Sequence, residues 1–383
     1  MRPEASSLPP LPVSPPALQQ LPSAHARLCL GVERFCRREL GLAQGSRLLL
    51  ALSGGADSTA LAAVCRLLAP RLGLRLWALS VDHGLRPESR DDARHVEALC
   101  RCLDIPCRVR RTDVAACARE WGCGLEDAGR RVRYGLLEAE RQAVDADWIV
   151  LGHHAGDLGE DVLLRLVRGA GWPGLAGMTA KDEGRRLLRP LLFTAPEALR
   201  GFLHGLGAGW REDASNQNSA FRRNRLRHEV MPLLRRENPA LERTFITLRR
   251  LGDMDGAFWE EVLDAALAGH PWQEAEGGKA LKLPRALLAP LHPAARLRLY
   301  VRALRALGQV AAPGEGGQPR AATLLALDDA LRQGRGNTRF QLPGGLEATL
   351  AGGSILFKKI TGSAQGSRNK ARPASVRPST SRP

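Results

Sequence analysis

From residue 47 onward the chain alternates short apolar runs with longer amphipathic ones, and this alternation narrows the choice of fold more than any other feature. Arg47–Leu52 reads RLLLAL, with no polar residue after the arginine, which suits a strand buried on both faces. A glycine turn follows, and a helix is expected from Ser58 to about Leu68. The pattern then repeats through a strand at Leu74–Val81, a helix at Glu88–Leu103, a strand at Ile105–Val109 and an Arg-rich helix at Leu125–Gln142. It continues with a strand at Trp148–Leu151, a helix at Asp157–Val167 and a short strand around Leu187–Leu192. Such alternation implies an α/β fold, an open parallel sheet with helices on both faces.

The texture changes after Asp213. Helical stretches rich in Arg, Leu and Ala are expected from Asn224 to about Leu267 and from Leu287 to Leu307, with a short helix near Ala322–Leu331. Between them Gly308–Arg320 reads as a mobile Gly/Pro-rich loop, and β-like pieces at Thr338–Leu342 and Glu347–Phe357 close the domain. A chain of 383 residues suits two domains. The first is expected over 25–213, and the second, mainly helical with a small C-terminal β-containing part, over 214–357. Residues 1–24, with seven prolines and one acidic residue, read as a disordered leader. Residues 358–383, with seven Lys/Arg and no acid, read as a disordered basic tail.

Charge points to a partner. The chain carries +16 at neutral pH with a pI near 10.4, and the surplus persists without the tail, so a polyanion such as nucleic acid is expected. Aromatics make up only 4%, which argues against a surface built on base-stacking platforms. No apolar run approaches the roughly 20 residues that span a bilayer. The eight cysteines include no Cys-x-x-Cys, which weakens a zinc knuckle or a redox dithiol and favours the reducing cytoplasm.

Three strand ends carry the chemistry. Ser53-Gly54-Gly55-Ala56-Asp57-Ser58 lies between the first strand and its helix. There two glycines allow close backbone approach and the helix N-terminus offers free N–H groups to a phosphate. No Gly-Lys-Ser/Thr follows, so this is not a Walker loop. Asp57 would be repelled by phosphates unless it held Mg²⁺; the plain alternative is a tight turn capped by Asp57 or Ser58. A second strand runs into Asp82-His83-Gly84, and a third into Gly152-His153-His154-Ala155-Gly156-Asp157-Leu158-Gly159-Glu160. In an open parallel sheet these loops should converge on one crevice. Asp157 and Glu160, three apart on a first helical turn, face the same way. With His153 and Asp57 they suit a metal or an ammonium, or else Asp157 simply caps the helix.

Ser-Gly-Gly-x-Asp-Ser is the signature of the PP-loop ATP pyrophosphatases. The stretches VDHGLRPES at 81–89, GHHAGDLGEDVLLRLVRGAGWPGLAGM at 152–178 and WREDASNQNSAFRRNRLRHEVMPLL at 210–234 resemble the tRNA(Ile)-lysidine synthase family. More weakly, LPGGLEATLAGGSILF at 342–357 resembles that family's C-terminal region. The resemblance implies ATP-dependent adenylation of C2 of the wobble cytidine in a minor tRNA(Ile). Attack by the ε-amine of free L-lysine then gives lysidine, with pyrophosphate and AMP released. It also implies ATP binding by Ser53, Gly54, Gly55, Ala56, Asp57 and Ser58, with Asp57 near Mg²⁺. His153, Asp157 and Glu160 match the family's His-x-x-x-Asp-x-x-Glu, and Arg130 and Arg133 its Arg-x-x-Arg-Tyr; these are the implied catalytic and lysine-binding groups. The family usually reads Asp-Asp-Gln where this chain has Gly156-Asp157-Leu158.

Arg222 to Arg236 holds six arginines against one Glu. Arg222, Arg223, Arg225 and Arg227 are therefore expected to contact tRNA phosphates, with a solvated helix face as the alternative. A homodimer is compatible with the sequence. Two rival functions stand beside this reading, a PP-loop tRNA cytidine thiolase and a non-catalytic RNA-binding protein. The first would want a cysteine pair or iron–sulfur ligands, and the intact loop and carboxylates speak against the second.

Overall fold

The computed structural model describes residues 16–84, 89–211, 222–307, 321–342 and 345–360. Most of the expected leader, the loop Gly308–Arg320, Leu85–Glu88, Asp213, Asn216 and nearly all of the basic tail lie outside these residues. The chain forms two compact units that divide between Glu261 and Val262, inside a long helix, where the sequence pattern placed the change at 213/214.

The first unit begins with a single 3-10 turn at Leu18–Gln20 and helix α1 (Ser23–Arg38), so the end of the expected leader, at residues 18–20 and 23–24, is helical. Then follow β1 (Arg47–Ala51), α2 (Ala56–Leu72), β2 (Arg75–Asp82), α3 (Ser89–Cys102), β3 (Cys107–Arg111), α4 (Val114–Trp121) and α5 (Leu125–Ala143). Next come β4 (Trp148–Val150), α6 (Ala155–Val167), β5 (Lys181–Asp182), β6 (Leu187–Leu188) and α7 (Pro196–Gly205). The last part holds α8 (Arg222–Arg225), a π-helical turn (Leu226–Val230), α9 (Met231–Glu237) and α10 (Leu241–Gly269). The strand order is β3-β2-β1-β4-β6-β5, parallel throughout except that β5 runs antiparallel to β6.

The RLLLA run explains the layers. Leu48 and Leu50 pack with Leu61 and Leu68 of α2 and Leu99 of α3 on one face, while Leu49 packs with Leu79, Ile149 and Leu137 of α5 on the other. Successive strand residues point to opposite faces, so an uninterrupted apolar run is what a sheet covered twice requires. The order turns back at β1: β2 and β3 lie to one side and β4 and β6 to the other. Beyond the carboxyl ends of strands at such a reversal a crevice opens.

The second unit takes the end of α10, β7 (Gln273–Ala275), β8 (Ala280–Leu283), α11 (Arg285–Leu288), α12 (Pro293–Ala306), α13 (Ala321–Arg332), β9 (Arg339–Leu342), β10 (Leu346–Ala351) and β11 (Ser354–Lys359). Its antiparallel sheet has the order β7-β8-β11-β10-β9. The β-like piece expected at Glu347–Phe357 is a hairpin that turns at Gly352 and Gly353, both with positive φ. Lys358 and Lys359, expected in the tail, finish its second strand. At its heart Arg296 donates from Nε and Nη2 to the two Asp328 carboxylate oxygens at 2.7 and 2.8 Å, and the Tyr300 hydroxyl donates to Oδ1 at 2.9 Å.

Candidate active site

The loop after β1 is tied from within. Gly54, at φ +84°, takes a conformation that other residues rarely adopt. Ser58 Oγ accepts from the N–H groups of Ser53 and Gly54 at 3.3 and 3.1 Å and donates to the Gly55 carbonyl at 3.0 Å. These bonds tie the Ser58 side chain into the loop, and Ser53 is left exposed. Gly55, at the N-cap of α2, supplies no side-chain cap, so the first-turn N–H groups and the positive end of a 17-residue helix are presented to the crevice.

The loop after β4 closes against that same helix end. A Cβ at Gly152 would lie 2.9 Å from the Asp57 carbonyl oxygen, so the two strand-end loops approach as nearly as bare backbone permits. His154 caps α6: its Nδ1 accepts from the N–H groups of Gly156 and Asp157 at 3.0 and 3.4 Å, while Asp157 Oδ2 accepts from the His154 N–H at 3.0 Å. A Cβ at Gly156 would stand 2.9 Å from the His154 ring, so the glycine leaves room for the imidazole where it lies. Leu158, like Gly156 a departure from the family pattern, is fully buried in the core. With Nδ1 engaged, His154 Nε2 faces Asp57 Oδ1 at 3.4 Å and Asp157 Oδ2 at 3.6 Å. Burial opposes a charge on this ring, but Asp157 and Asp57 raise its pKa above the ordinary imidazole value.

The carboxylates of α6 are met by cations from α8 and the π turn. Arg223 donates to Glu160 at 2.7 Å and to Asp157 at 2.8 Å; Arg227 donates to Glu160 at 2.5 and 3.0 Å and to Asp157 at 3.2 Å. The carboxylate side chains are 9% and 4% exposed, but the two guanidinium side chains are 30% and 34% exposed. Burial would raise the Asp157 pKa, yet His154 and the guanidiniums of Arg223 and Arg227 hold it well below the usual carboxylate range.

A second group of arginines surrounds Tyr134 of α5, with the guanidinium carbons of Arg130, Arg133 and Arg185 at 5.0, 5.4 and 5.7 Å from its ring centroid. Arg133 Nε and the Tyr134 hydroxyl are buried with no hydrogen-bond partner among the described residues. Burial lowers the Arg133 pKa, as do Arg130 and Arg223. Beside this group Arg189, next in chain after β6, donates from Nε to His153 Nδ1 at 3.1 Å.

The structure thus brings Asp57, Asp157 and Glu160 together with two of the four arginines expected at RNA, Arg223 and Arg227. Arg222 and Arg225 lie exposed. His153 turns towards Arg189, while His154, which the motif spacing does not select, reaches Asp57. Arg189 is likewise absent from the sequence expectations; its only signal is a lone arginine inside the apolar run LLRPLL. Among the described residues no three His, Cys, Asp or Glu side chains form a metal-ligand group.

Glycine loop, open helix end and strand order together define a PP-loop domain, and the PP-loop domain family matches residues 31–234. The chain is 47% identical over 322 residues to a tRNA(Ile)-lysidine synthase of Nitratidesulfovibrio vulgaris, covering 81% of this chain and 91% of that protein. It is 37% identical over 333 residues to the tRNA(Ile)-lysidine synthase of Thermus thermophilus, covering 86% of this chain and 60% of that one. The chain belongs to the tRNA(Ile)-lysidine synthase family. Among solved structures the U34-tRNA thiolase NcsA of Methanococcus maripaludis shares the fold, with a TM-score of 0.51 at 15% identity, over 60% of this chain and 79% of that one.

Proposed function

We propose that the protein ligates free L-lysine to C2 of the wobble cytidine of a minor tRNA(Ile), using ATP and releasing pyrophosphate and AMP. The observation that carries this reading is the meeting, at the sheet's reversal, of an uncapped helix end with a carboxylate pair already holding two cations. ATP phosphates would lie over the first-turn N–H groups of α2. The Asp57 side chain, 44% exposed beside them, fits a magnesium ion, which usually takes one or two carboxylates and completes its shell from phosphates and water. Bound there, the ion would neutralise phosphate charge, and His154 Nε2 would orient the carboxylate.

Charge develops on the α-phosphate in both displacements, and the unpartnered Arg133 Nε and Tyr134 hydroxyl are donors suited to it. For lysine, Asp157 and Glu160 are the ammonium site. The partly exposed Arg223 and Arg227 occupy it in the free protein and would exchange with the ammonium, turning to RNA phosphate with Arg222 and Arg225. All eight cysteines are free thiols, in keeping with a cytoplasmic setting, and the amine attack needs none of them.

The deciding experiment supplies ATP, labelled lysine and a tRNA(Ile) transcript with a cytidine at the wobble position. It follows pyrophosphate release and lysine incorporation together. Both are expected, with incorporation lost when the cytidine is replaced by uridine. A stoichiometric burst of pyrophosphate without lysine fits the adenylation step, whereas multiple-turnover pyrophosphate release with no lysine incorporated would overturn the reading.

A further inference from the structure

Arg189 is an arginine at a strand end that faces inward. It is 6% exposed, and its backbone N–H and two of its side-chain nitrogens are held by fixed acceptors. Its backbone N–H bonds the Ala180 carbonyl at 2.8 Å, Nη1 bonds the Thr179 carbonyl at 2.8 Å, and Nε bonds His153 Nδ1 at 3.1 Å. A guanidinium has donors only and no acceptor lone pair. Nδ1 must therefore carry its lone pair, and the single proton of the neutral ring sits on Nε2. We propose that Arg189 is a positioning residue that fixes His153 as its Nε2–H tautomer, making His153 a hydrogen-bond donor to the reacting groups and not the base that deprotonates lysine.

The surroundings agree. The charged groups that act on the ring are Arg189, Arg223 and Arg133, set against Asp157, and Asp157 is itself shared between two guanidiniums. A second proton on the ring would add charge to a cationic pocket and break the bond from Arg189. Burial and those arginines accordingly lower the His153 pKa well below the ordinary value. What remains is one fixed N–H, suited to an oxygen that gains negative charge in the transition state. The half of the proposal that concerns lysine rests on the function proposed above; the tautomer does not.

The test has two arms on the full-length protein. In the first, long-range ¹H–¹⁵N spectra of ¹⁵N-histidine-labelled protein identify His153 by its loss in His153→Gln. The expected result is an unprotonated Nδ1 and a protonated Nε2 in the wild type. In Arg189→Met the two tautomers should mix and the His153 pKa should rise, with Arg189→Lys restoring the wild-type pattern. A protonated Nδ1 in the wild type, or a pattern unmoved by Arg189→Met, overturns the positioning role.

The second arm does not depend on how the Arg189 variants fold. A Gln amide can place an N–H where Nε2–H stands but cannot serve as a base. His153→Gln should therefore ligate lysine within about tenfold of wild type, while His153→Ala loses about 10²–10³-fold, the usual cost of one such donor. Equal loss in both variants overturns the donor role. A wild type that incorporates no lysine sinks the proposed function instead, while the tautomer remains readable in the first arm.

Discussion

Two buried arginine–carboxylate networks, one in each unit, look alike in composition and differ in closure. In the second unit Arg296 and Asp328 meet bidentately with side chains 9% and 4% exposed. Arg296 Nη1 also bonds the Leu291 carbonyl at 2.7 Å, and the Tyr300 hydroxyl completes Asp328. The network around Asp157 and Glu160 sets two carboxylates against two arginines whose side chains stay about one-third exposed. Beside them two histidines and an aspartate form further polar contacts. The first network has no room for a newcomer, and its role is to hold α12 against α13. In the second, the cations keep contact with water, so the proposed exchange for an ammonium would not dismantle a core. Openness, rather than charge, separates a site from a staple.

The largest expected effect tests the closed network. Asp328→Ala leaves a buried guanidinium without its counter-ion, which costs about 3–5 kcal/mol; denaturant melts of the second unit should show it. A loss under about 1 kcal/mol would erase the distinction. At the open network Asp57→Ala should slow ATP-dependent pyrophosphate release by about 10²–10³-fold, the scale of a missing charge stabiliser. The melt should move by less than about 1 kcal/mol, because the carboxylate is part-exposed.

Glu160→Gln sharpens the contrast further. It should raise the lysine concentration needed for half-maximal incorporation by about tenfold, some 1.4 kcal/mol. Its stability cost should stay well below that of Asp328→Ala, since Arg223 and Arg227 can reach water.

Acid should also discriminate between the units. The Asp157 pKa is lowered by folding, so its stabilisation is complete above the unfolded value of about 3.9 and is lost as the pH falls below it. The His153 pKa is lowered too. Protons bind the unfolded chain first below about pH 6.5, so the His153 contribution is lost in that range, while His154, whose pKa is raised, contributes with the opposite sign. Melts of Asp157→Asn and His153→Gln should be flatter in their respective windows than the wild type, and parallel curves would remove both residues from the linkage.

The smallest effect concerns the exposed arginines. Replacing Arg222 and Arg225 should flatten the log–log salt dependence of tRNA binding by about 0.7 for each phosphate no longer neutralised. An unchanged slope would leave both in solvent.

The sheet was legible because buried strands and amphipathic helices repeat at different periods, and RLLLAL shows the two-sided burial outright. The glycine loop was legible because few residue types permit its backbone. Other features had no comparable signal. Spacing selects His153, but in extended backbone neighbouring side chains point to opposite sides, and His154 is extended, at φ −129° and ψ −177°. Only three dimensions sort the pair. Arg223 and Arg227 could be seen as cations, yet their carboxylate partners lie 63 to 70 residues earlier. β7 and β8 are too short, at three and four residues, for alternation to show. Arg189 follows a strand of two residues and takes its meaning from His153, 36 positions away.

The π turn at Leu226–Val230 makes segment length itself a determinant of the site. Such a turn holds one residue more than an α-helical turn of the same reach. Deleting a single residue from it would let the helix close up, rotating everything on one side by about 100° relative to the other. Arg223 and Arg227, which straddle its start, would then no longer aim at the same two carboxylates. Every arginine would survive such a deletion, and the constellation would not. Alignments that slide a gap through this stretch conceal the change, whereas counting residues from Arg223 to Met231 exposes it.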